Sequence, residues 1–313
     1  MKIDIKTISK LLFASAFSLF FISCEEEKLG PSIFVDTELD PNSASYEFDC
    51  WLDENFKKPY NLAFRYRMKD IEVDRNYNLS PIRMDKAKDM VQLIDYLWLD
   101  VYSDIVGQEF LKENSPRIMQ LVGSLAFNVA SRTQTQGLAE GGIKVTLYGC
   151  NELNFKDMAK MNDNYFITMH HEFCHILHQK KAYSQEFPLI SAGKYDPNAW
   201  NERTDAQARS LGFVSPYGSS EPQEDFVEVF ARYLIMTDAE WENLLLVASK
   251  NTTGLNSNEV VDDGVDGRAI ILQKLDMVKT WCKTSWNMDI DKLRKEILTR
   301  QAIVANTGGI PEY

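Results

Sequence analysis

The stretch Met169-His170-His171-Glu172-Phe173-Cys174-His175-Ile176-Leu177-His178 holds all four histidines of the 313-residue chain, and its reading decides the rest. It contains one HExxH motif, running from His171 to His175. On a helix these two histidines fall one turn apart on one face and can share a Zn²⁺ ion. Glu172 then sits beside the ion, where a carboxylate can take a proton from water. The flanks predict that helix: Asn162 or Asp163 can cap it, and Phe166, Ile167, Ile176 and Leu177 give it an apolar side to bury. Cys174 points away from the His171–His175 face and reads as a small buried residue. His178 is in phase with His171 but nearly two turns on, too far at about 1.5 Å per residue to join the same coordination sphere. His170 and His178 therefore read as supporting or surface residues.

A catalytic zinc takes three protein ligands and keeps one position open. No histidine follows position 178, so the third ligand is expected to be a carboxylate or, failing that, a thiolate. Among the acids downstream, the segment from Glu221 to Leu234 stands out. Glu221-Pro222 suits a helix start, and Phe226, Val229, Phe230 and Tyr233 recur at helical spacing. Glu224 and Glu228 then lie one turn apart on a neighbouring face. One of them can bind the metal while the other accepts the N–H of a ligand histidine and fixes its tautomer. An arbitrary ExxxE is usually a solvated face; the upstream HExxH without a third histidine is what favours the metal. Just before this helix, Ser215-Pro216-Tyr217-Gly218-Ser219 is a turn, and the Tyr217 phenol, seven residues before Glu224, is a candidate donor to a developing oxyanion.

The HEFCH run, followed by Tyr217-Gly218 and Glu224-Asp225-Phe226-Val227-Glu228, resembles the gluzincin metallopeptidases. The nearer resemblance is to the zinc-binding metallopeptidase lipoproteins of Bacteroidota, also described as substrate-import-associated zinc metallohydrolases. Phe48-Asp49-Cys50-Trp51-Leu52, with Asn55-Phe56 and Pro59-Tyr60-Asn61, extends that likeness over most of the chain. The catalytic domain of anthrax lethal factor is a more distant likeness, through the Tyr-Gly turn and the ExxxE helix. The resemblance implies His171, His175 and Glu224 as zinc ligands, Glu172 as general base, Tyr217 as oxyanion donor and Glu228 as the support of a ligand. It also implies a peptide or protein substrate, and a partnership with an outer-membrane transporter.

At the amino terminus, Lys2, Lys6 and Lys10 precede the apolar run Leu11 to Ile22, and Ser23-Cys24 follow at once. This pattern describes a secretory signal peptide, too short for a membrane span of about 20 residues. A cysteine directly after a small residue resembles a bacterial lipobox, with Phe21 where leucine is commoner. Lipidated Cys24 would anchor the chain to a membrane. Glu25-Glu26-Glu27 resemble the surface-export signals of Bacteroidota lipoproteins, so display on the outer membrane is expected. The chain then divides into a signal peptide (1–23), a flexible tether (24–43) and one catalytic domain (44–313).

The formal charge of −12 becomes −14 once residues 1–23, with three Lys and one Asp, are removed. That excess of acid argues against nucleic-acid binding. Cys50, Cys150, Cys174 and Cys282 form no CxxC pair, so a structural zinc knuckle is not expected, and three disulfide pairings stay open.

Along the chain, a short helix is predicted at 45–56 with Phe48, Trp51 and Leu52 on one face. A strand is predicted around Leu62, Phe64, Tyr66 and Met68, and a helix from about 84 to 106 carrying Met90, Leu93, Ile94, Leu97 and Val101. Ile118–Val122 and Ser124–Asn128 read as a strand region broken at Gly123. Gly141-Gly142 introduces the strand 143–148, the candidate edge for pairing with an extended substrate backbone. Helices are predicted over 238–249, 266–285 and 289–303, with a polar loop at 251–264. The fold expected is an α+β, zincin-like one: a small mixed sheet, then a helical part carrying the metal. Its chemistry is peptide-bond hydrolysis. The rival readings keep the zinc but act on a non-peptide amide of a glycan, or leave it idle in an accessory protein of an uptake system.

Overall fold

The computed structural model describes residues 39–68, 77–128, 133–135, 137–140, 143–249, 264 and 266–311. Residues 1–38, and with them the signal segment, Cys24 and most of the tether, lie outside the described residues, as does nearly all of the 251–264 loop. Residues 44–313 form one compact unit.

The unit opens with α1 (Tyr46–Leu52), which buries Phe48 and Leu52 and runs on through a π turn at Asp53–Lys57. After β1 (Ala63–Arg65), α2 (Met84–Ile94) passes through a second π turn (Asp95–Leu99) into α3 (Asp100–Ile105), giving the predicted long helix its fully buried stripe. Helix α4 (Gln108–Asn114) leads to β2 (Ile118–Leu121), and the strand region does break at Gly123 before β3 (Ala126–Asn128). A Cβ at Gly123 would lie 2.2 Å from the Pro81 carbonyl oxygen, so only glycine lets these segments approach. Strand β3 pairs with β4 (Thr133–Thr135) in a two-stranded antiparallel ribbon.

The main sheet has the order β1-β2-β6-β5, with β5 at Gly137–Glu140 and β6 at Lys144–Leu147. Strands β1, β2 and β6 are parallel, aligning Ala63 with Ile118 and Ile118 with Lys144, while β5 runs antiparallel to β6. The sheet is small and mixed, as the sequence predicts, but its edge differs from expectation. Strand β6 is flanked on both sides, by β2 and β5, and among the described residues the edges are β1 and β5. Antiparallel pairing with β6 places Gly137-Leu138-Ala139-Glu140 outside it, a segment with no alternating apolar pattern to announce it as a strand.

The part that carries the HExxH segment is helical. Helix α5 (Met158–Met161) continues through a third π turn (Asn162–Phe166) into α6 (Ile167–Lys180). The expected cap at Asn162 or Asp163 is therefore displaced. Asp157 caps the run by accepting from the Lys160 amide, and Asn162 instead pairs with Gln301 and with the Ile235 carbonyl. The core face of α6 is fixed by Phe173, whose ring meets Trp98 and Tyr102 edge-on at 5.0 Å each. After the short α7 (Phe187–Ile190) and α8 (Asp205–Ser210), α9 (Pro222–Ile235) packs along α6. Its start is as predicted, with Glu221 at the cap and Pro222 in the first turn. Helices α10 (Asp238–Ala248), α11 (Gly267–Trp286) and α12 (Ile290–Thr307) close the unit, and α11 and α12 both pack against α9. No helix among the described residues is long and apolar enough to cross a membrane.

Candidate metal centre

Helices α6 and α9 bring His171, His175 and Glu224 together, their ligand atoms within 4.8 Å of one another. The Nε2 atoms of His171 and His175 are 3.2 Å apart, and Glu224 Oε2 lies 3.2 Å from the first and 3.3 Å from the second. A tetrahedral zinc with bonds of about 2.0–2.1 Å spaces its donors by about 3.3–3.4 Å. The two imidazole nitrogens and one carboxylate oxygen thus form a face of the right size and donor type for that ion.

The tautomers are set from outside the triangle. Buried Glu228 accepts from His171 Nδ1 at 3.0 Å, which leaves the Nε2 lone pair turned inward. The other Glu228 oxygen accepts from Ser215 Oγ at 2.5 Å and Arg232 Nε at 2.7 Å. His178 Nε2 lies 2.9 Å from His175 Nδ1. Burial, with His175 beside it, brings the His178 pKa down to about 4, so its neutral ring can accept from His175. His170 is in the core, on the far side of α6 from the centre: fully buried, with Nδ1 2.9 Å from the Tyr102 hydroxyl. Burial alone takes its pKa to about 3.

The field at the centre favours a cation. Burial opposes charge on His171, but the Glu224 and Glu228 carboxylates outweigh it and raise its pKa to about 10. Burial likewise opposes charge on Glu224, yet the two imidazoles bring its pKa down to about 2. Glu228 is held well below the usual carboxylate range despite burial, by Arg232 first and then by His171 and Ser215. Glu172 behaves differently. Burial raises its pKa, a rise that the two histidines only partly offset.

Glu172, His175 and Glu224 line a cleft of about 560 Å³. Tyr217 stands on the turn Tyr217–Ser219, its ring stacked on His171 at 5.8 Å and edge-on to Trp200 at 5.0 Å. Burial, then the Glu224 carboxylate beside its hydroxyl, raises the Tyr217 pKa, so the phenol keeps its proton. The same Ser215 hydroxyl that reaches Glu228 accepts from the Gly218 amide at 3.1 Å and ties this turn to α9. Sequence reasoning missed Ser215, Arg232 and Trp200. Arg232 follows Glu228 by one helical turn and could have been found by that spacing; nothing local marks Ser215 or Trp200. Cys174 is buried as expected, and the thiols of Cys50, Cys150, Cys174 and Cys282 are all free.

The family described as “Putative zinc-binding metallo-peptidase” matches residues 41–291. A crystal structure of a putative zinc-binding metallo-peptidase from Bacteroides caccae is similar to this chain at 40% identity and a TM-score of 0.71, over 88% of this chain and 97% of that one. No curated protein matches the chain.

Proposed function

The chain belongs to the family described as “Putative zinc-binding metallo-peptidase”, and from that premise we propose that it is a gluzincin-type zinc peptidase. His171, His175 and Glu224 hold the ion, Glu172 is the general base and Tyr217 the oxyanion donor. The observation that carries this reading is the 3.2–3.3 Å triangle of two imidazole nitrogens and one carboxylate oxygen, open to a cleft that Glu172 also lines.

Bound zinc supplies Lewis acidity, polarising a scissile carbonyl and acidifying an attacking water. Glu172 takes the proton of that water and returns it to the leaving amine, its raised pKa narrowing the gap between the two states. Tyr217 donates to the oxygen that gains charge as the carbonyl carbon becomes tetrahedral. Glu228 holds His171 in register, and His178 does the same for His175. The antiparallel edge strand β5, rather than β6, is the strand positioned to pair with an extended peptide. From the amino-terminal sequence alone, we extend the proposal to a lipid anchor on Cys24, location at the outer membrane, and work beside an outer-membrane transporter.

The test is metal analysis of the purified full chain together with a broad peptide library. One zinc per chain and cleavage are expected, and Glu172→Gln should keep the zinc and lose at least about 100-fold in kcat. Zinc-bound wild type with no cleavage above that of Glu172→Gln would refute the enzyme.

A further inference from the structure

The wall of the cleft beyond the metal is built by residues 179–188, and its chemistry is uneven. Gln179, Tyr183 and Gln185 line the metal cleft, and Gln223 joins them from the first turn of α9. Ser184, Glu186 and Phe187 of the same segment turn to a separate cavity walled by Phe226 and Trp281. The segment thus sorts its side chains, sending amides to the metal side and the buried aromatic ring to the core. It is held in place for this. Tyr183 stacks on Phe226 at 4.2 Å, and Ser184 accepts from the Phe187 amide at 3.1 Å and, through its hydroxyl, from the Glu186 amide at 3.2 Å.

The amides are available. Among the described residues, the side chains of Gln179 and Gln185 make no hydrogen bond to the protein; Gln223 donates to Glu221 and keeps its carbonyl. The neighbouring cations are committed elsewhere. Lys180 donates to the Glu113 carbonyl at 2.6 Å and to Asn114 at 2.8 Å, while Lys181 donates to the Ser285 carbonyl at 2.6 Å and lies over the Trp286 ring. Among the described residues no Lys or Arg lines the cleft. Its charges are the carboxylates of Glu172 and Glu224, which a divalent ion would balance. No net charge is left to select an acidic or a basic side chain, or to receive a terminal carboxylate.

We infer that Gln179, Gln185 and Gln223 form a subsite for a neutral polar side chain (amide or hydroxyl) on a substrate residue flanking the scissile bond, within an internal stretch of peptide. The inference rests on the peptidase reading, and its test separates the two. Alanine-based hexapeptides carrying Gln, Asn, Ser, Leu, Glu or Lys at the third or fourth position are titrated calorimetrically into the zinc-loaded full chain bearing Tyr217→Phe, which keeps both cleft carboxylates and slows turnover, so that binding is read ahead of cleavage. Gln, Asn and Ser peptides should bind about tenfold more tightly than the Leu peptide, the effect of one or two well-placed hydrogen bonds. Gln185→Leu should bring that ratio close to one, and Gln185→Glu should move the preference to Lys. Binding that favours Leu, or ratios unmoved by both Gln185 substitutions, would overturn the subsite. The same peptides are then offered to the wild-type chain. Selective binding without cleavage would refute hydrolysis and leave the subsite standing, whereas cleavage without amide preference would do the reverse.

Discussion

His171 is held at both ring nitrogens, and most of what the centre can do follows from that. Glu228 claims Nδ1 while Nε2 faces His175 and Glu224. Before metal enters, the two carboxylates keep a proton on this ring up to about pH 10. Zinc must displace that proton, so affinity should rise with pH, by about tenfold per unit between pH 7 and pH 10. Competition with a chromophoric chelator across that range measures it, and a flat profile would show that the His171 ring holds no proton for zinc to displace there. Glu228→Gln keeps an acceptor but loses the charge that faces Arg232 and His171, and should weaken zinc by about 10–100-fold. Tyr217→Phe removes one donor to a developing oxyanion while its ring still stacks on His171. It should lower kcat by about 100–1,000-fold with KM little changed; steady-state kinetics on any cleaved peptide decides it. His171, Glu172, His175 and the Glu224/Glu228 pair can be read in the sequence, because helical spacing alone places them on shared faces. Ser215 cannot, because its reach to Glu228 depends on the path of a loop.

At the scale of elements, α9 is seated by a buried ion pair. Asp225, next to Glu224, meets Lys274 of α11 at 2.6 Å with both side chains fully buried. Lys274 also donates to the Gly212 carbonyl at 2.8 Å and lies over the Phe213 ring, and Tyr195 donates to Asp225 at 2.9 Å. Gly212 itself has φ +90°, and a Cβ there would lie 2.3 Å from Ile270, so the carbonyl that Lys274 uses depends on glycine. Removing one partner strands a charge. Lys274→Met should destabilise the fold by about 3–5 kcal/mol, and adding Asp225→Asn should recover much of that loss. Urea denaturation of Lys274→Met, Asp225→Asn and the double variant measures this, and a double-variant loss equal to the sum of the two single losses would mean the pair carries no coupling. Periodicity found helices α2, α6, α9, α10, α11 and α12 because each has an apolar face to bury. It could not show Lys274, since lysine on a helix reads as a solvated residue. Nor could it show β5, whose four residues lack alternation and owe their strand to the antiparallel pairing with β6.

At the scale of the molecule, the proposed ligands come from two helices far apart in the sequence. His171 and His175 lie on α6, and Glu224 lies on α9, which packs along α6 and against α11 and α12. An ion that binds only when both helices are in place is also a clamp between the two halves of the helical part. At free zinc about 1,000 times the Kd, such binding stabilises the fold by about 4 kcal/mol. A domain of this size gains roughly 2–4 °C per kcal/mol, so Tm should rise by about 8–16 °C over the chelator-stripped protein. Glu224→Ala and His171→Ala should each abolish most of that rise in the full chain, because removing a ligand from either helix breaks the clamp. A calorimetric scan of the wild type and both variants, with and without zinc, tests this. If Glu224→Ala kept the full zinc-dependent rise, the ion would be held by α6 alone, and the third ligand would have to be sought elsewhere.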